Sequence, residues 1–165
     1  MKEVFAMTKL KQMRIEKGIR QIDITARCGL AQSQYASYEK YFDAENLTLK
    51  TLCKIAKGFD VKLWDIIDDQ DIITKLHEVN EYETGFLLDG ERSPITEIRN
   101  VCEITQTQMS NLSRISQSQI CKWERYGMDA AKLKNFIDVA TALHVNLRLL
   151  IWDTDLLNLF DKVTQ

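Results

Sequence analysis

Histidine is scarce in this chain of 165 residues: His77 and His144 are the only two. Cysteine occurs four times, as Cys28, Cys53, Cys102 and Cys121, and no pair has the C-x-x-C spacing of a zinc site or a redox motif. No metal and no other cofactor is therefore expected, and the cysteines read as reduced, small core residues of a cytoplasmic protein. There is no glycine-rich phosphate loop and no Ser or Cys nucleophile with a plausible His, so no catalytic residue is assigned and an enzyme is not expected. No run of about 18 apolar residues exists, which excludes a membrane-spanning helix. The stretch Met1 to Leu10 carries Lys2, Glu3 and Lys9 and lacks a signal-peptide core, so export is not expected.

What is present is the balance of a soluble globular protein, 45% hydrophobic and 28% charged, with room for one ordinary domain or two small ones. The net charge of −2 is unevenly spread. Residues 1–60 carry 11 Lys and Arg against 7 Asp and Glu, residues 61–94 carry 3 against 9, and residues 95–165 carry 8 against 8. Phosphate attraction depends on the local field within a Debye length of ~8–10 Å and not on the chain total. A DNA-binding face is permitted, while strong non-specific binding is not expected.

The chain repeats itself. Residues 10–41 shifted by 85 positions match at 8 of 32 places, among them Arg14/Arg99, Gln21/Gln106, Glu39/Glu124 and the run Gln32-Ser33-Gln34/Gln117-Ser118-Gln119. Beyond a loop shorter by one residue the offset is 84, matching Leu49/Leu133, Ala56/Ala140 and Leu63/Leu147. Each copy reads as a succession of helices. Thr8 caps the first, ended by Gly18; the second runs from about Gln21 to Cys28, closed by Gly29; the third from about Gln32 to Tyr41. Thr48 caps a fourth, stopped by Gly58, and Val61 to Ile67 completes a fifth. Ser93-Pro94 opens the second copy. Between the copies, Ile72, Ile73, Leu76 and Val79 lie at helical spacing in an acidic amphipathic helix, and residues 145–152 read as helix or strand.

These elements resemble the phage repressor/Cro family of DNA-binding domains, the XRE type. The family pattern asks for Gln opening helix 2, an apolar-small pair, Gly then an apolar residue in the turn, and an apolar residue and Glu in helix 3. Unit one supplies Gln21, Ile24-Thr25, Gly29-Leu30, Tyr35 and Glu39; unit two supplies Gln106, Met109-Ser110, Arg114-Ile115, Ile120 and Glu124. The resemblance covers roughly residues 8–68 and 93–151. Unit two departs from it with Arg114 in place of a turn glycine and Glu103 in place of Gly18, at a cost of roughly 1 kcal/mol each in a left-handed turn. Unit one has Ala31 where a capping Ser is usual, and both units lack the common glycine after helix 3, having Tyr41 and Tyr126.

The resemblance implies an all-α fold of two tandem lambda-repressor-like five-helix domains, residues 1–69 and 93–165, joined by the amphipathic helix of 70–92, with a short C-terminal strand left open. It also implies that helix 3 enters the major groove with its first turn at the base edges. Gln21 and Gln106 resemble the family's phosphate-contact residue, and the candidate contacts at the base edges are Gln32, Ser33, Gln34 and Ser37, with Gln117, Ser118, Gln119 and Lys122 in unit two; the plain alternative is a solvated helix face. Gln suits adenine, Lys guanine, and Ser either. Arg14 with Glu39, and Arg99 with Glu124, are expected to form structural ion pairs. The expected partner is double-stranded DNA, bound by a homodimeric repressor through the stripe Ile72–Val79 and the tail Leu147–Phe160, or by one chain across half-sites ~34 Å apart. The alternative is an antitoxin, or a phage- or plasmid-borne regulator, that grips a protein partner.

Overall fold

The computed structural model describes residues 6–165, so the leader reading at the N-terminus falls partly outside it, at Met1–Phe5. Repeat one contains α1 (Lys9–Glu16), α2 (Gln21–Cys28), α3 (Gln32–Lys40), α4 (Leu49–Phe59) and α5 (Gln70–Glu81). Repeat two contains α6 (Pro94–Val101), α7 (Gln106–Ser113), α8 (Gln117–Tyr126), α9 (Leu133–Leu143) and α10 (Thr154–Thr164). Short 3-10 helices at Leu63–Ile66 and Leu147–Leu150 occupy the same place in the two copies. They replace the fifth α-helix expected in each unit.

The fold is all-α, and the strand left open for residues 145–152 does not form. Asn146 caps a tight turn there, its side-chain oxygen accepting from the Arg148 N–H at 3.0 Å. The i,i+3 pair Leu147 and Leu150 is then carried into the core.

Local chemistry explains most helix ends. The Thr8 and Thr48 hydroxyls accept from the backbone N–H of Lys11 and Thr51. Gly29 ends α2 in the left-handed region at φ 64°, and Arg114 adopts the same conformation after α7 at φ 59°. Glu103 likewise sits at φ 56° where repeat one has Gly18 at 63°. Two expectations need correction. Gly58 does not stop α4, which closes at Asp60 in the left-handed region (φ 57°), as α9 does at His144 (φ 54°). A glycine does follow the third helix of repeat two: α8 runs through Tyr126, and Gly127 is its cap at φ 78°.

Gly58 has a packing role instead. A Cβ there would lie 2.3 Å from Cys28 Sγ, so α4 crosses α2 at a distance that only glycine allows opposite a thiol. The corresponding residues of repeat two are Ala142 and Ser113. A smaller side chain on one helix accompanies a larger one on the other.

The repeats meet through their own equivalent backbones. Thr48 and Lys132 form an isolated antiparallel bridge. The Leu49 N–H donates to the Ala131 carbonyl at 3.3 Å, and the Leu133 N–H to the Leu47 carbonyl at 2.9 Å. These positions correspond under the 84-residue offset, so the contact is self-complementary and defines a local two-fold. Helix exchange follows the same relation. After repeat one the chain sends α5 onto α9, and after repeat two it returns α10 onto α4. The two helices match in sequence: Asp69 and Asp153 cap them, and Ile72/Leu156, Leu76/Phe160 and Val79/Val163 face inward. Asn146 fastens the crossing by donating to the Asn80 carbonyl at 2.7 Å, beside the stacked rings of Tyr82 and His144.

The apolar stripes expected to face a second chain are therefore consumed within this one. Ile72, Leu76, Val79, Leu147, Leu150, Leu156 and Phe160 are all buried in one core that spans both repeats. Each repeat supplies the cover for the other's fourth helix.

Gly58→Ala is expected to destabilise the fold by about 1–3 kcal/mol through overpacking. Cys28→Ala in the same chain should restore part of the loss, as read by denaturant midpoints. Ending the chain after Trp152 is expected to speed amide exchange first in α4 of the other repeat, which hydrogen-exchange mass spectrometry would localise.

Candidate nucleic-acid interface

In each repeat the third helix is held by one buried charge network. Arg14, on α1, donates to both carboxylate oxygens of Glu39 on α3, at 2.5 and 3.1 Å, and its remaining donor group reaches the Ile19 carbonyl at 3.0 Å. Gln21, the first residue of α2, donates to the same carboxylate at 3.1 Å. The Thr8 hydroxyl donates to the Glu39 carbonyl at 2.8 Å. Three helices are thereby fixed to one side chain, which is only 5% exposed.

Repeat two rebuilds the arrangement. Arg99 is bonded to Glu124 and to the Ile104 carbonyl, Gln106 donates to Glu124 at 2.5 Å, and the Ser93 hydroxyl donates to the Glu124 carbonyl at 2.7 Å. Burial pushes the Glu39 carboxyl up, but the hydrogen bond and charge of Arg14, aided by Gln21, outweigh it and hold the group below the ordinary carboxylate range. The bond to Glu39 in turn raises Arg14. This is a bidentate, fully ionised pair with satisfied donors, the geometry in which a buried bridge can hold. In repeat one the buried Tyr35 hydroxyl faces the Glu39 carboxylate without a regular hydrogen bond, whereas repeat two places Ile120 at the matching position.

With the inner face of the helix so fixed, the outer face is set by the helical period. On α3, Gln32, Ser33, Gln34 and Ser37 are exposed. On α8, Gln117, Ser118 and Lys122 are exposed and Gln119 is half-buried. Several are already engaged: Gln34 donates to the Tyr38 hydroxyl at 3.0 Å, Ser37 to the Gln34 carbonyl at 2.6 Å, and Thr107 to Gln117 at 3.5 Å. Gln21 and Gln106 stand apart from this face, half-buried, with their amide groups turned to the glutamates. The matching offsets of Arg, Gln and Glu made this network legible, but the spacing alone did not show that the glutamine joins the ion pair.

The ends of the short helices differ between repeats. Arg20 and Ala31 open α2 and α3 without a side-chain cap; the Asp23 N–H of α2 turns back to the Arg20 carbonyl at 3.1 Å, while the Gln34 N–H of α3 has no partner among the described residues. Thr105 and Ser116 cap α7 and α8. Beside α8 a cavity of about 460 Å³ runs from Gln119 and Lys122, past Trp123 and Tyr126, to Lys132 at the two-fold bridge.

The thiols of Cys28 and Cys53 are buried, and desolvation pushes them up to about 11 and about 12. Among the described residues no cluster of His, Cys, Asp and Glu could hold a metal ion, and no helix is long and apolar enough to cross a membrane.

The family model described as Helix-turn-helix matches residues 10–63, from Leu10 on α1 to Leu63 at the first 3-10 turn after α4. That segment is similar to helix-turn-helix domains over those residues. No curated protein and no solved structure matches the chain.

Arg14→Met is expected to cost about 3–5 kcal/mol at neutral pH by leaving the Glu39 carboxylate buried without its cation. Glu39 is lowered in the fold, so the stability it contributes is present above its unfolded value and lost as pH falls through the folded one. The gap between wild type and Arg14→Met should accordingly narrow in acid, as followed by thermal melts from neutral pH downward.

Proposed function

We propose, starting from the helix-turn-helix likeness of residues 10–63, that this chain is a sequence-specific DNA-binding repressor in which repeat two is a second reading domain. The observation that supports this most is the self-complementary bridge at Thr48 and Lys132. A two-fold carries α3 onto α8 at the same height along the axis, so whatever duplex α3 approaches along that axis, α8 approaches too. One chain then has the symmetry that a pair of separate subunits otherwise supplies for half-sites ~34 Å apart. The fit of one chain to both half-sites is favoured over a homodimer because the stripes available for pairing are already buried.

In this reading Gln32, Ser33, Gln34 and Ser37, and Gln117, Ser118, Gln119 and Lys122, face the base edges. The first-turn N–H groups of α2 and α3 face phosphate. Gln21 and Gln106 contribute through their backbone position and by steadying the glutamate that orients the reading helix.

Gln32→Ala and Gln117→Ala should each weaken binding to a selected operator by about 1–3 kcal/mol with the melting temperature unchanged. Light scattering of the complex should give one chain per duplex. Two chains per duplex would favour the homodimer, and unchanged affinity in both variants would remove α3 and α8 from the role.

A further inference from the structure

The two-fold framework carries two unlike faces. Where repeat one has Lys9, Lys11, Lys17, Arg20 and Arg27, repeat two has Pro94, Thr96, Cys102, Thr105 and Leu112. Lys11, Lys17 and Arg27 are exposed and outside any ion pair among the described residues, while Arg20 is exposed but held by Asp23 at 2.7 Å. Repeat one also leaves α3 uncapped by a side chain, with the Gln34 N–H free among the described residues, while repeat two spends Ser116 on the corresponding Gln119 N–H. Positive charge and one further free N–H donor thus lie on repeat one. Both attract phosphate without regard to base sequence.

The reading helices show the opposite bias. They are identical over Gln-Ser-Gln and part at the position one turn on, where Ser37 of α3 corresponds to Lys122 of α8. Ser37 is short and its hydroxyl is spent on the Gln34 carbonyl at 2.6 Å. Lys122 is exposed, has no hydrogen bond or ion pair among the described residues, and lies a turn beyond Ser118 and Gln119, so all three share a face. Its ammonium is free to reach a base edge, and the acceptors that suit it in the major groove are guanine O6 and N7.

We infer that the chain binds a lopsided operator in one fixed orientation. Repeat one is a sequence-tolerant anchor on the phosphates, and repeat two sets specificity by reading a guanine with Lys122 that the other half-site does not require. This inference rests on the proposed DNA-reading role. The ligand is duplex DNA whose half-sites agree where the shared Gln-Ser-Gln reads and differ where Ser37 and Lys122 stand.

The test is selection from random duplexes with the full chain, run in parallel on wild type, Lys122→Ser and Ser37→Lys. Both positions are exposed, so the variants are expected to fold, and circular dichroism checks that they do. Wild type should enrich paired half-sites with guanine conserved at one position of one half only. Lys122→Ser should lose that preference, with roughly ten-fold weaker binding to the wild-type operator. Ser37→Lys should add a guanine to the other half. A symmetric wild-type motif, or a Lys122→Ser variant weakened equally on every sequence with a shallower salt dependence, would overturn the inference and leave the DNA-reading role standing. No enriched motif in any of the three would instead remove that role.

Discussion

Two backbone hydrogen bonds around Thr48 and Lys132 set the frame on which the remaining structure is arranged. Because the 84-residue correspondence exchanges one bond for the other, Leu49 to Ala131 for Leu133 to Leu47, they define a rotation that the exchanged helices also follow. The helix that leaves repeat one lands on α9; the helix that leaves repeat two lands on α4. Neither α4 nor α9 could keep its apolar face dry with the short 3-10 turn that follows it in sequence. The exchange solves that problem for both with one operation. It also explains why the acidic joining helix is amphipathic: its apolar side belongs to the core of the partner repeat, and its charged side faces water.

A second constraint acts inside each repeat. An arginine and a glutamine from two helices converge on the glutamate carboxylate of a third, and a hydroxyl binds the carbonyl of the same residue. The interactions are short, shielded from water and reciprocal in their demands, so the third helix has little freedom to roll. A helix that presents side chains to a rigid duplex benefits from being held this way, since orientation settled beforehand need not be bought at binding. The glutamine that opens the second helix belongs to this inner network.

Much of this was legible from residue order alone. The repeat, the helix caps at Thr8 and Thr48, the left-handed turns at Gly29 and Arg114 and the twenty-five-residue spacing of arginine and glutamate all rest on local chemistry, which sequence expresses directly. What escaped was non-local. Ile72, Leu76 and Val79 have the same spacing whether they cover a helix of another subunit or one seventy residues away in the same chain, so periodicity could not say where they bind. The correspondence of Asp69, Ile72 and Val79 with Asp153, Leu156 and Val163 was the available clue, visible only if the alignment is carried past Leu63 and Leu147. Gly58 misled for a related reason: glycine ends helices often, but here the demand comes from the sulfur of Cys28 across the interface.

Joining both halves covalently has a consequence for dose. Regulators assembled from separate subunits lose occupancy steeply on dilution, because the pair must first form. In this chain the second half is always present at the effective concentration fixed by the fold. If it acts at an operator as proposed, occupancy would rise in simple proportion to a small number of molecules, and no threshold copy number would be needed before the first site is filled.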